Sequence, residues 1–379
     1  MNREIPFNLP LSGYCAPAFQ NVAEAFKDNL KHHGEIGACV SVVYRGKTVV
    51  DLWGGYKDRN KTQAWEQDTL VCVMSVTKAI ASLAVLKLAD EGLIQLDQPI
   101  AEYWPAFAQN GKQGITVRCM LAQLAGLPIA ESAPEGSLFD NGVVGHALEI
   151  QKPLWLPGTT PCYHSFTHGP LCQELVFRCT GKTLGHYVRE FLFDTHGIEF
   201  YIGMTDDEIA RCADIILSDG VPTLEQVKDP ESLIGRAWKP MPKVDNFFED
   251  DCYRIHEFGS GNGHSNARNL ARLYGMLSQE DNPLLSQACL DDAIQEQWNA
   301  VEAMTQRHFR YATGFMLNNP CFKIGPNPRS FGHPGLGGAN AFADPDAHLG
   351  FGYACNRIHP INHTGPCASA LIEAVYNTL

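Results

Sequence analysis

β-forming residues are concentrated near the two ends of this chain, and that separation constrains the fold more than any other feature. Residues 38–44 and 48–53 are valine-rich runs flanking Arg45-Gly46-Lys47, the pattern of a hairpin. Residues 315–317, 339–343 and 349–355 are β-type again, the last two separated by Asp344-Pro345-Asp346-Ala347-His348. From about 93 to 251 short helical segments alternate with Pro/Gly-rich loops. Helices are expected at 18–32, where Phe19, Val22, Phe26 and Leu30 recur at helical spacing, at 75–91 with Gly92 closing the last turn, and at 367–378. Unpaired strands seek partners, so the two end groups are expected to join. The reading is an α/β (α+β) sandwich: an antiparallel sheet from both chain ends, flanked by helices, with an inserted helical region. Residues 1–70 and 255–379 would form the α/β domain and 71–254 the mostly helical one, with the active site between them.

Composition narrows the class. With 45% hydrophobic and 19% charged residues the chain is globular rather than disordered. Lys+Arg of 29 against Asp+Glu of 42 gives a formal charge of −13, which repels nucleic acid and anionic membrane surfaces alike. The 13 cysteines are an odd number with no Cys-x-x-Cys pair, a poor fit to a disulfide framework or a zinc ribbon. The opening Met1-Asn2-Arg3-Glu4-Ile5-Pro6-Phe7 carries no leader-like apolar run, and nothing later reaches the roughly 20 apolar residues of a membrane span. A reduced, cytoplasmic protein is expected, with no nucleic-acid or membrane partner; composition leaves its oligomeric state open.

Chemistry enters with Ser75-Val76-Thr77-Lys78, the one place where lysine follows serine by three residues. On a helix these two share a face, so hydroxyl and amine can approach each other. A hydroxyl attacks poorly until a base takes its proton, and a desolvated amine can be that base. Val71, Val73, Met74, Ala79, Ile80 and Leu83 surround the pair, so the helix is expected to be buried. Ser-x-x-Lys nevertheless occurs by chance about once in a chain this long, so the tetrapeptide alone assigns nothing.

The order of motifs around it does. Leu93-Ile94-Gln95-Leu96-Asp97-Gln98-Pro99 precedes Thr116-Val117-Arg118-Cys119-Met120-Leu121-Ala122-Gln123-Leu124-Ala125-Gly126-Leu127-Pro128. Then come Trp155-Leu156-Pro157-Gly158-Thr159, Tyr163-His164-Ser165 and, far downstream, Gly332-His333-Pro334-Gly335-Leu336-Gly337-Gly338. In this order the chain resembles the family VIII carboxylesterases and class C β-lactamases of the serine penicillin-binding-protein superfamily, from about Gly37 to the C-terminus. The resemblance implies that Ser75 is the acylated nucleophile, Lys78 its activating amine, and Tyr163 the phenol of a Tyr-x-Asn or Tyr-x-Ser motif that shares the proton. A tyrosine beside a buried ammonium could ionise more readily than in water. His333-Pro334-Gly335 matches the Lys-Thr-Gly strand. The oxyanion hole would lie at the amides of Ser75 and Leu336, with Ser165, His333 and Gly335 as substrate-binding residues.

Of three departures from the β-lactamase pattern, the first two point away from β-lactam recognition and towards esters, and the third bears on helix-supporting contacts and not on the chemistry. His333 replaces the lysine of Lys-Thr-Gly, Ser165 replaces the asparagine of Tyr-x-Asn, and Gln123-Leu124-Ala125-Gly126 replaces His-Thr-Ser-Gly. A histidine near its ordinary pKa is mostly uncharged at neutral pH. A cation for a substrate carboxylate would then come from elsewhere, such as Arg329 or Arg357. The function expected is a serine hydrolase of small-molecule carboxylic esters acting through an acyl-enzyme, with poor or no β-lactamase activity. An acyltransferase, amidase or D-amino-acid peptidase would use the same intermediate, and a non-catalytic binding or scaffold protein would keep only the fold.

Other candidates weigh less. Gly263-His264-Ser265-Asn266-Ala267 lacks the last glycine of a nucleophile elbow, and Ser265 reads better as the cap of a helix over 267–277. His164 and His168, and likewise His359 and His363, are four apart, too few ligands for zinc. Neither a metal nor a cofactor is expected. Trp155, Tyr163, Phe166, Phe247, Phe248 and Phe258 are candidates for core or acyl pocket.

Overall fold

The computed structural model describes residues 10–243, 247–248 and 250–379; the segment Met1 to Phe7 lies outside them. In chain order the main sheet uses β1 (Leu11–Cys15), β2 (Gly37–Tyr44), β3 (Lys47–Gly55), β4 (Trp298–Val301), β5 (His308–Tyr311), β6 (Met316–Leu317), β7 (Phe331–Pro334), β8 (Asn340–Asp344) and β9 (Leu349–Cys355). The helices that set the site are α1 (Gln20–His32), α2 (Val76–Asp90), α3 (His168–Thr180), α4 (Ala267–Leu277) and α5 (Gly365–Tyr376).

Among the described residues the sheet has nine strands in the order β1-β3-β2-β9-β8-β7-β6-β5-β4, antiparallel throughout. The two chain ends meet where β2 pairs with β9, from Tyr44 opposite Leu349 to Ala38 opposite Cys355. The β2–β3 turn puts Arg45 and Gly46 at φ of 49° and 73°, as a tight two-residue hairpin demands. Strands β1, β4 and β5 escape a sequence reading for a physical reason, and β7 enters only through the resemblance of His333-Pro334-Gly335 to a strand motif. The first leaves most side chains exposed, so it shows no apolar alternation. The Phe-Gly-His-Pro of β7 has no run of β-branched residues.

Alternation along β9 builds the two helical layers. Phe351 and Tyr353 point to one face, where they join Val40, Val42, Phe26 of α1 and Leu371 of α5 in one core. Gly350 and Gly352 point to the other. A Cβ on them would sit 2.1 Å from Gly275 N and 2.4 Å from Ala267 O, so only glycine lets α4 rest on the strand backbone.

Helix α2 is buried residue by residue from Val76 to Leu86, because it is apolar on nearly every face and belongs inside. It packs on α3 and on β7, which brings its N-terminus to the end of that strand. All 13 cysteines are unpaired. No helix among the described residues is long and apolar enough to cross a membrane.

Candidate active site

The chain enters α2 through Met74, whose φ of 51° is a left-handed conformation costing a residue with a side chain roughly 1–2 kcal/mol. Strain at such a turn fits a segment that must aim its next side chain outward. Ser75 follows at the N-cap, and its hydroxyl makes no capping bond. It faces the cleft between β7 and the helical layer. One turn on, Lys78 is 1% exposed. Its Nζ lies 3.3 Å from Ser75 Oγ and donates to the Ser260 carbonyl at 2.6 Å. Burial pulls the Lys78 pKa from 10.5 down to about 7, because an ammonium is poorly solvated there. Near neutral pH, a sizeable fraction of Lys78 is free amine.

Ser260 is held in turn. Its hydroxyl accepts from Gly169 N at 2.6 Å and donates to Phe166 O at 3.0 Å, which ties its loop to the start of α3. Tyr163 completes the group, with Lys78 Nζ 4.9 Å from its ring centroid. Burial raises the phenol pKa; the Ser75 hydroxyl opposes this, Glu302 adds to the rise and Arg307 counters it. Tyr163 is thus protonated at neutral pH, and the eased ionisation expected from a neighbouring ammonium does not occur. Desolvation outweighs the charge of a lysine that is itself half neutral.

Two side chains hold the Tyr163 loop, and sequence reasoning missed both roles. Buried Glu302 accepts from the backbone N–H of Tyr163 at 2.7 Å, Met304 at 2.8 Å and Thr305 at 2.5 Å, and from the Thr305 hydroxyl. Gln123 accepts from His164 N at 2.6 Å and donates to the Tyr311 phenol. The departure at 123–126 therefore supplies support to the loop rather than removing it. Nothing local in the sequence marks Glu302 as a support for Tyr163, since that partner comes from a distant segment while Met304 and Thr305 are near neighbours. Glu302→Ala leaves one buried and two part-buried N–H groups without an acceptor, at up to about 1–3 kcal/mol each. We expect a stability loss of roughly 3 kcal/mol or more in urea unfolding, with a fall in kcat, and partial recovery in Glu302→Gln.

His333 sits 1% exposed beside Tyr163. Its Nδ1–H donates to Pro334 O at 2.6 Å and its Nε2 accepts from Tyr311 at 3.2 Å. Burial, helped by the charge of Lys78, lowers its pKa to about 3. Its ring lines the cleft, but the protein occupies both nitrogens. Gly335 serves packing: a Cβ there would lie 2.4 Å from Val73 O, so glycine lets β7 close on the Ser75 turn. Ser165 and Leu336 both reach the cleft wall. Arg329 and Arg357 do not; the first pairs with Asp291 at 3.3 Å and Asp346 at 3.2 Å, the second donates to Ser218 at 2.9 Å and Gly34 O at 2.7 Å.

Of the other candidates, Ser265 is fully buried and donates to Glu199 O at 2.6 Å. The cap of α4 is Asn266 instead, accepting from Asn269 N at 3.1 Å. His164 accepts from Leu127 N at 3.1 Å, and His168 contacts Ser82 Oγ at 2.9 Å. His359 lies 3.2 Å from Glu35 while His363 faces the cleft. Phe166, Phe247, Phe248 and Phe258 line the cleft with Trp238 and Tyr253, which the sequence did not single out; Trp155 packs behind it.

This arrangement can generate a serine alkoxide equivalent in a mostly apolar cleft, and known proteins with the same frame fit that chemistry. The protein called Esterase/beta-lactamase LipL, from Mycobacterium tuberculosis, is 30% identical over 362 residues, 91% of this chain and 83% of that protein. A crystal structure of a family VIII carboxylesterase superposes with a TM-score of 0.89 at 33% identity, covering 98% of this chain and 100% of that one. A penicillin-binding-protein homolog from Caulobacter crescentus gives the same TM-score, identity and coverage. The family model described as Beta-lactamase matches residues 22–375. The chain therefore belongs to the Beta-lactamase family and is a serine hydrolase of that fold.

Proposed function

We propose that this protein is a carboxylesterase that hydrolyses small-molecule esters through an acyl-enzyme on Ser75. The observation that carries the reading is the Lys78 amine, buried, near a pKa of 7 and in hydrogen-bond reach of Ser75 Oγ. Such an amine is matched to proton transfer at neutral pH. Ser75 Oγ attacks the ester carbonyl as Lys78 takes its proton. The N–H groups of Ser75 and Leu336 stabilise the oxyanion. The proton passes through Lys78 and the Tyr163 phenol to the leaving alkoxide, and water then releases the acid.

Ester preference over β-lactams follows from His333. Held neutral at the end of β7, it offers no cation to a carboxylate fused near the reacting carbonyl. Losing a charge-assisted contact costs about 1.5–3 kcal/mol, roughly one to two powers of ten. We expect kcat/KM for a neutral short-chain ester to exceed that for a penicillin at pH 7.5 by at least about tenfold. Efficient penicillin turnover would overturn the preference, and LipL, whose name carries both activities, makes the comparison a strict one. Product analysis in the presence of candidate alcohols separates hydrolysis from acyl transfer: free acid as the sole product supports the esterase. His333→Lys is a poor probe, because it would bury a second ammonium beside Lys78.

A further inference from the structure

The cleft lining has two parts of different chemistry. At one, Phe166 stacks on Phe258 and meets Trp238 edge-to-face, and Trp238 meets Phe247 edge-to-face, with centroids 5.9, 5.0 and 5.3 Å apart. At the other, the turn between β4 and β5 brings Thr305 and Arg307 into the wall, with Phe309 and Phe322 beside them. Arg307 is half-buried, and burial lowers the pKa of its guanidinium, which nonetheless stays charged. Among the described residues its guanidinium has no ion pair, hydrogen bond or ring contact, and no carboxylate lines the cleft. Glu302 is near enough to act on it electrostatically. However, Glu302 forms no salt bridge with it and is engaged by three backbone N–H groups and the Thr305 hydroxyl. A desolvated guanidinium is costly unless something completes its fork of donors.

We propose that Arg307 docks a carboxylate carried by the substrate, so that the favoured esters bear an anionic chain as well as an apolar group. This rests on the esterase reading of the same cleft. It is compatible with poor penicillin turnover. Arg307 borders β5, two strands from β7, and stands five positions along β5 from the residue level with His333, so their backbones lie farther apart than the two inter-strand spacings alone, about 10 Å. A carboxylate fused to a lactam ring stays near its carbonyl, whereas a flexible chain of several methylenes can span the gap.

Two matched pairs test it: p-nitrophenyl hexanoate against the mono-p-nitrophenyl ester of adipic acid, and hexyl acetate against 6-acetoxyhexanoate. The anionic-to-neutral ratio of kcat/KM is measured for the unmodified protein, Arg307→Met and Arg307→Gln. We expect the ratio for at least one pair to fall about tenfold or more in whichever variants fold, through KM, as for loss of a charge-assisted bond. Added salt should lower the same ratio in the unmodified protein. A ratio unchanged by both the variants and salt overturns the inference. So does an equal fall on both members of a pair with a shifted pH profile, which would make Arg307 a positioning residue for Tyr163. If the unmodified protein hydrolyses none of the four esters, the esterase reading itself fails; hydrolysis with an unchanged ratio sinks this inference alone.

Discussion

Ser75→Ala should lower kcat/KM for every accepted ester by at least about 10⁴-fold, because Ser75 carries the acyl intermediate in the proposed mechanism. It should do so with almost no loss of stability. A serine at a helix N-cap ordinarily gives up about 1 kcal/mol on truncation to alanine. Here the Ser75 side chain makes no capping bond, and its polar contacts are with the catalytic candidates Lys78, at 3.3 Å, and Tyr163. We expect the free energy of unfolding to change by less than about 0.5 kcal/mol, as for a substitution away from any packed or capped feature. The two readouts together separate a nucleophile from a structural serine. A fluorophosphonate probe with peptide mass mapping gives a third, since label should fall on Ser75 and vanish in the variant. Near-normal turnover by the alanine variant would remove Ser75 from the mechanism. Absence of label on the unmodified protein, under conditions that label other serine hydrolases, would favour a scaffold that kept only the fold.

Legibility in the sequence followed the range of the interactions. Helix α2 could be read because its apolar residues are contiguous, and Ser75 and Lys78 because their spacing is local. The joining of both chain ends was readable because the runs at β2, β3, β8 and β9 are apolar and their turns are marked by glycine, proline or aspartate. What could not be read is what comes from afar. Ser260 supplies a carbonyl to Lys78 from 182 positions downstream, and any residue type has a carbonyl. Glu302 reaches Tyr163 across 139 positions, and a lone acidic residue in a turn looks like solvated surface. His333 was placed correctly on its strand, yet its protonation depends on Tyr311 and on burial, neither of which is visible locally. Arg329 and Arg357, the cations expected for a carboxylate, find partners of their own away from the cleft, whereas Arg307 lines it.

Lys78→Met should break catalysis and strengthen the fold at the same time. On the kinetic side, removing a positioned base typically costs 10²–10⁴-fold, and we expect the acylation rate to fall within about that range. Tyr163→Phe should fall with it, and the double variant should be little worse than either single one, because groups that move one proton act as a unit. The unmodified protein should show an ascending limb of kcat/KM near pH 7, set by the depressed Lys78 pKa. On the stability side the sign follows from proton binding. The unfolded chain keeps the Lys78 proton up to about 10.5, whereas the folded chain releases it near 7. Between those values the unfolded state binds more protons, so this group makes stability rise with pH across the window. Below about 7 the penalty is complete, on the order of 5 kcal/mol at 1.36 kcal/mol per unit. The lost bond to Ser260 O offsets part of it, about 1–3 kcal/mol. Lys78→Met should therefore be more stable than the unmodified protein by a few kcal/mol at pH 6, with the advantage shrinking steadily towards pH 10. Urea unfolding of both proteins at several pH values measures it. A variant that is destabilised at pH 6, or whose advantage does not change with pH, would mean that Lys78 is an ordinary paired lysine, and the proton-transfer role would go with it.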